Sequence, residues 1–292
     1  MMKTDEYYVP SQSHWPIVGA IALFVIAFSA GLLVIEMHNE KASPIGHYGL
    51  VIGFCILIYM LYGWFKNVIQ ESMTGKYSEQ MDRSFSQGML WFILSELMFF
   101  LILFGALFYA RMLSVPWLAG EGNNAMTGQY LWPQFNNVWP LTQTPDGGRS
   151  GFMSWQGLPL INTVILLVSS VTLFNAHKSL DNNNISHIVL FLALTVILAF
   201  IFLGLQFSEY QHAYQVLGLK MDSGIYGNTF YILTGFHGLH VTLGATMLCV
   251  ILIRTIKGHF NKDNIFAFQA VSWYWHFVDV IWIILFLFVY II

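Results

Sequence analysis

Five ionisable side chains stand in otherwise apolar surroundings and could do chemistry there: Glu96, His237, His240, His276 and Asp279. Lipid cannot solvate such groups, so each must be neutral, paired or turned toward an internal polar site, and each is a functional-site candidate for that reason. Glu96 lies about 11 residues into its apolar run, roughly 17 Å along a helix axis at 1.5 Å per residue, near the middle of a bilayer. Two uses fit it: handling a proton, or hydrogen-bonding a neighbouring helix as a neutral carboxyl that fixes register. His237 and His240 occur in Thr-Gly-Phe-His-Gly-Leu-His, a spacing that sets both on one helical face, with Gly235 and Gly238 allowing close backbone approach. The pair could ligate a metal or haem. A transition-metal site needs three or four ligands, however, and one pair on one helix supplies two. Axial haem ligands usually come from facing helices, and the sequence has no second intramembrane pair at matching depth. The spacing therefore points to interhelical hydrogen bonding, with Glu96 the expected partner of one imidazole. His276 and Asp279 recur at the same spacing in Trp-Tyr-Trp-His-Phe-Val-Asp. There the carboxylate can accept from the imidazole and keep it oriented, the alternative being contact with a partner subunit or a lipid head group.

The elements that must position these groups are membrane helices. Of the 292 residues, 57% are hydrophobic and 9% charged, whereas soluble domains carry roughly 25% charged residues. A formal charge of -3 offers no broad basic surface, which argues against nucleic-acid binding. Seven apolar runs are long enough for a bilayer core, which needs roughly 20 residues per helix: 15–35, 48–65, 85–109, 158–176, 188–207, 227–253 and 266–292. They do not alternate as barrel strands would, so the expected class is all-α. The polar start, 1–14, sets Lys3 against Asp5 and Glu6, and the run after it is too long for a signal-peptide core, so it reads as a retained first span. With the N-terminus inside, the inner segments hold Lys3, Lys66, Lys76, Arg83, Lys178, Arg254, Lys257 and Lys262, and the outer ones Lys41, Arg111, Arg149 and Lys220. That bias favours a cytoplasmic N-terminus and a periplasmic C-terminus. Trp15, Tyr48, Trp64, Trp91 and Tyr290 sit at run ends, where they serve either as interfacial belts or as packing residues. Cys55 and Cys249 lie at different depths and read as two small buried hydrophobes.

The expected organisation is a cytoplasmic N-terminus over 1–14, a two-helix bundle over 15–65, a cytoplasmic loop over 66–84 and a five-helix bundle over 85–292. Within the last, the loop 115–157 interleaves Gly, Asn and Pro with Trp117, Trp132, Trp139 and Trp155, and is expected to fold against the outer face of the bundle or a partner subunit. Neither a P-loop, a dinucleotide fingerprint nor a nucleophile elbow is present, so nucleotide-driven and hydrolytic chemistry has no anchor.

Motifs carry the reading further. Ser13-His14-Trp15-Pro16, Gly63-Trp64-Phe65 through Val68-Ile69-Gln70-Glu71-Ser72, and Gly88-Met89 through Ser95-Glu96-Leu97-Met98-Phe99-Phe100 come first. Leu158-Pro159-Leu160-Ile161-Asn162-Thr163 with Ala176-His177, Ser208-Glu209-Tyr210, Gly224-Ile225-Tyr226-Gly227 through His237-Gly238-Leu239-His240, and Trp273-Tyr274-Trp275-His276-Phe277-Val278-Asp279 follow in order. The chain so read resembles subunit III of haem-copper cytochrome c oxidases, of bacterial type. The resemblance implies seven transmembrane helices, the first two leaning away from the other five to leave a V-shaped cleft that holds structural phospholipids. It implies a multi-pass protein of the bacterial inner membrane that binds no cofactor itself, haem and copper residing in partner subunits. Its partners would be oxidase subunits I and II, membrane phospholipids and, through the complex, cytochrome c. Such a subunit has no active site of its own; it packs on subunit I, sustains proton uptake and protects against turnover-linked inactivation, while the complex oxidises cytochrome c, reduces oxygen to water and pumps protons. Glu96 matches the family's buried third-helix carboxylate, and Trp64, Phe65 and Lys66 match its lipid-cleft segment. Gln70 and Ser86 stand where relatives often carry Arg, and Gln269 where Glu is common, which weakens the case for lipid contacts there; Arg83 could replace the charge missing at Ser86. The rival readings are a quinol oxidase subunit III, whose members often lack the first two helices, an independent proton-coupled transporter using Glu96 and His240, and a bis-haem reductase.

Overall fold

The structure is a computed structural model that describes residues 8–38, 44–181, 184–260 and 265–292. Lys3, Lys41 and Lys262, used above for orientation, lie outside the described residues. The helices in chain order are α1 (Trp15–His38), α2 (Ile45–Met73), α3 (Glu79–Tyr109), α4 (Val115–Leu118), α5 (Leu158–Asp181), α6 (Ile185–Gln215), α7 (Ile225–Ile256) and α8 (Phe266–Leu285). Seven of them are long and apolar enough to cross a membrane. The chain is an all-α, multi-pass membrane protein. Among the described residues the only strand-like feature is an isolated bridge between Gln143 and Arg149.

The helices outlast their apolar runs. Residues 66–84, expected as a loop, are helical except for the turn between Met73 and Glu79. Hydropathy marks where lipid ends, but helix-favouring residues such as Gln70, Glu71, Gln80 and Met81 carry the backbone ladder on into water. Gly75, at φ +70°, ends α2, and Gly258, also at φ +70°, ends α7, both in the left-handed conformation that glycine adopts without a Cβ penalty. Beyond α3 the helix does not stop at 109 but widens into a π turn, Ala110–Ser114, and runs into α4. Pro116 stands just beyond that turn and has no N–H to donate to it.

Two compact units divide the chain, Met1–Phe85 and Ser86–Ile292. In the first, α1 and α2 pack through small residues. A Cβ at Gly46 would meet the Leu33 backbone at 2.9 Å and one at Gly53 the Ile26 side chain at 2.6 Å, while Gly63 leaves the space that the Trp15 indole fills. Trp15 is therefore a buried packing residue and not a belt residue. Tyr48, Trp64 and Trp91 are exposed. Cys55 is exposed as well, because apolar side chains on a membrane helix face lipid as readily as protein; Cys249 is half-buried, and both are free thiols.

In the second unit α7 and α8 are the most enclosed helices, with Trp275, Trp282, Tyr274 and Tyr226 almost wholly buried. A Cβ at Gly244 of α7 would lie 2.9 Å from the Trp275 ring, so the glycine admits the indole. The buried indole N–H groups are satisfied across helices: Trp275 donates to Ser169 Oγ at 3.1 Å and Trp282 to Thr163 Oγ1 at 3.0 Å. The loop 115–157 packs on the end of this bundle where α6 finishes and α7 begins. Phe135, Leu141 and Met153 join the core, the Met153 N–H donates to Tyr226 Oη at 3.2 Å, and Gly151 N–H donates to Leu217 O at 2.7 Å.

Candidate functional site

Glu96 of α3 meets His240 of α7, with Oε2 2.9 Å from Nε2. The other imidazole nitrogen, Nδ1, lies 2.7 Å from the Phe236 carbonyl oxygen one turn back on the same helix. A carbonyl only accepts, so Nδ1 carries its hydrogen. Between Nε2 and Oε2 there is then one shared proton, either on the imidazole and donated to a carboxylate, or on the carboxyl and donated to a neutral ring. The pair is a one-proton site whichever atom holds it. Phe100 lies edge-on to His240 with centroids 5.1 Å apart, Phe99 stacks at 6.2 Å and Tyr274 at 6.4 Å. These rings enclose the imidazole, while the Glu96 side chain keeps 23% of its surface accessible.

His237 does not share this site. Three residues turn a helix by about 300°, leaving two side chains roughly 60° apart, and with neighbours on several sides that suffices to aim them at different helices. His237 is buried between Phe202 of α6 and Trp282 of α8, with ring centroids 6.0 and 5.1 Å away. Neither of its nitrogens has a hydrogen-bond partner among the described residues.

The second sequence pair is looser than its spacing implied. His276 Nδ1 is 2.7 Å from Ser170 Oγ on α5, and Asp279 Oδ2 stands 3.9 Å from the same nitrogen. Serine, not aspartate, orients the ring, because a hydrogen bond cannot span 3.9 Å. Asp279 is buried with neither oxygen hydrogen-bonded among the described residues. Trp64 and Phe65 stack at 5.9 Å on an exposed stretch of α2 that continues into exposed Lys66, and Arg83 is exposed at the start of α3.

Two buried ionisable groups, Glu209 and Arg254, were not among the sequence candidates. Glu209 lies beyond the end of its apolar run, but α6 continues to Gln215 and buries it, and Tyr290 Oη donates to its Oε1 at 2.6 Å. Tyr290 is thus a packing residue too. The continuing three-residue step from Gln206 to Glu209 was the available signal. Arg254 is buried near the end of α7, its guanidinium 4.6 Å over the Phe260 ring and its Nε and Nη2 unpartnered among the described residues. Its charge marked a helix end in the sequence; its burial beside Phe260, past that end, was not visible there.

Residues 5–124 and 141–292 match a family described as Cytochrome c oxidase subunit III. Cytochrome c oxidase subunit 3 of Struthio camelus is 35% identical over 289 residues, covering 99% of this chain and 97% of the relative. The same subunit of Carassius auratus and of Squalus acanthias is 34% identical, with the same shares covered. The chain belongs to the cytochrome c oxidase subunit III family. It is accordingly a membrane-embedded subunit III of a haem-copper respiratory oxidase, assembled with other oxidase subunits. The family match breaks over 125–140, inside the aromatic loop. Subunit III membership also bears on the histidines. Among the described residues no three His, Cys, Asp or Glu side chains come together as a metal site, and both His240 nitrogens are engaged within the chain.

Proposed function

We propose that this subunit serves a cytochrome c oxidase as a non-redox component: it stabilises subunit I, supports proton uptake and protects the complex from inactivation during turnover. The complex would oxidise cytochrome c, reduce oxygen to water and pump protons, with haem and copper held by subunits I and II. The observation that carries the proton-related part is the 2.9 Å contact between Glu96 and His240, a one-proton site inside a ring of aromatic side chains. Exposed Trp64, Phe65 and Lys66 offer an apolar platform beside a cation, which suits a phospholipid chain and its phosphate. Among the described residues, the distribution of Lys66, Lys76, Arg83, Lys178, Arg254 and Lys257 against Arg111, Arg149 and Lys220 supports an N-terminus on the inner, cytoplasmic side; that the membrane is a bacterial inner membrane rests on the resemblance to the bacterial type. The presence of α1 and α2, and relatives named for cytochrome c, favour that donor over quinol.

The test is to purify the tagged chain in mild detergent, record an optical spectrum and follow oxygen consumption with reduced cytochrome c and with quinol. Haem-bearing partners, activity with cytochrome c, and progressive loss of activity during turnover once this chain is stripped away are expected. Quinol oxidation alone would move the complex to the other branch, and a colourless chain migrating by itself would overturn the reading. Glu96→Gln in the same complex should slow proton-coupled turnover; an unchanged rate and pH profile would remove Glu96 from proton uptake.

A further inference from the structure

Within the second unit, Asn162 of α5 and Gln206 and Glu209 of α6 form a polar knot buried in the apolar bundle, exposed by 0%, 5% and 1%. Asn162 Nδ2 donates to Gln206 Oε1 at 3.4 Å, and Tyr290 donates to Glu209 Oε1 at 2.6 Å. Three atoms, Asn162 Oδ1, Gln206 Nε2 and Glu209 Oε2, make no well-formed hydrogen bond among the described residues, although the Gln206 amide stands close enough to Glu209 and Tyr290 to act on both. Gln206 and Glu209 lie one helical turn apart on α6, and Asn162 already touches Gln206, so the three belong to one locality. Leaving such groups unsatisfied in an apolar bundle is costly, so a further partner is called for.

We infer that this knot is a binding site for ordered water, bridging Glu209 Oε2 to the free amide atoms of Gln206 and Asn162. The chemistry of the leftover atoms selects the ligand. A cation would be repelled by the Gln206 amide hydrogens, and an anion by the oxygens of Asn162 and Glu209. Water both donates and accepts and is the smallest ligand that does so in quantity around a protein, and two to four polar partners are what a buried water takes. The selection survives the ambiguity of amide orientation. With both amides turned over, Gln206 donates to Asn162, and the leftover atoms become Asn162 Nδ2 and Gln206 Oε1, again one donor and one acceptor. It survives the charge state of Glu209 as well, since Oε2 accepts from water when ionised and can donate to it when protonated. A water so held joins α5 to α6 and, through Glu209 and Tyr290, to the turn that follows α8.

The test is a structure of the intact oxidase at a resolution that shows ordered water. A density peak within hydrogen-bonding distance of Glu209 Oε2 and of at least one free amide atom of Gln206 or Asn162 is expected. Direct pairing of the three side chains with no peak, an empty gap, or a peak with the density and coordination of an ion would each overturn the assignment. Asn162→Leu should abolish the peak or shift it onto Glu209 and Gln206 alone, and a peak unmoved in that variant would show that Asn162 takes no part. The unaltered complex decides the main question even where the variant does not assemble.

Discussion

The two histidines of one motif have opposite debts to their surroundings, and paired substitutions should separate them. Replacing His240 strands Glu96 in a largely apolar site; His240→Phe should lower stability by about 1–3 kcal/mol, the usual range for a buried group deprived of its partner. His237 has no partner to strand among the described residues, and exchanging an unsatisfied polar ring for an apolar one of similar shape is near neutral or stabilising. Thermal melts of the two complexes should therefore fall on opposite sides of, or at unequal distances from, the parent. Equal losses would mean that His237 makes a bond in the assembled complex. Glu96→Ala should destabilise the complex as His240→Phe does, and the double variant should cost less than the sum of the two single changes, because they break one shared bond. Additive losses would sink the pairing. That Glu96 would bond one of the two histidines was legible in the sequence, because depth and apolar context left it in need of a partner; that the partner is His240 and not His237 was not, since it depends on which helix each ring faces. Glu209 was not legible either, since it lay past the point where hydropathy falls, and the burial that makes it unusual comes from Tyr290, 81 residues away.

Helix pairing in the first unit rests on glycines that face specific side chains, so size at those positions is the quantity to vary. Gly63→Leu would drive a side chain into the space of the Trp15 indole, and overpacking of this kind typically costs 1–3 kcal/mol. The expected result is a lower melting temperature of the complex, with Gly63→Ala milder than Gly63→Leu; a stable Leu variant would show that α1 and α2 are not held together at this point. The seven spans were readable as elements because twenty apolar residues in a row have few other fates. Their ends were not: α2 and α3 run on into water on helix-favouring polar residues, and α3 passes through a π turn into α4. Nor could the sequence tell that a terminal tryptophan such as Trp15 turns inward while Trp91 stays outside, since that depends on which neighbour supplies a glycine.

Across the whole molecule, the loop between α4 and α5 is where the family match breaks, over residues 125–140. Within it, Thr144 N–H donates to Gly148 O at 2.9 Å and Ser150 N–H to Thr142 O at 2.9 Å, closing a tight turn around Asp146. The Thr144 hydroxyl first, and the Gly148 backbone N–H second, hold the Asp146 carboxyl below its ordinary 3.8. An acid whose folded pKa is depressed binds protons less tightly folded than unfolded. Its contribution to the turn is therefore complete above the ordinary value and is lost as pH falls through the folded one. Hydrogen-exchange protection of amides 142–150, corrected for intrinsic rate, should be flat at neutral pH and decline on strong acidification, and Asp146→Ala should remove that step. The aromatic content of this loop pointed to packing against the bundle or a partner subunit without choosing between them; that Met153 meets Tyr226 was not legible, for no local pattern links residues 73 positions apart. The membrane sets a final condition on the Glu96–His240 contact. Moving its proton from one atom to the other turns a neutral couple into two opposite charges, or the reverse, so what changes is a dipole and not a net charge. The proton moves less than the 2.9 Å that separates the two atoms, a small fraction of a bilayer core of about 30 Å. A voltage across the membrane does work on charge displaced along the normal, so the respiratory potential has little hold on where this proton rests.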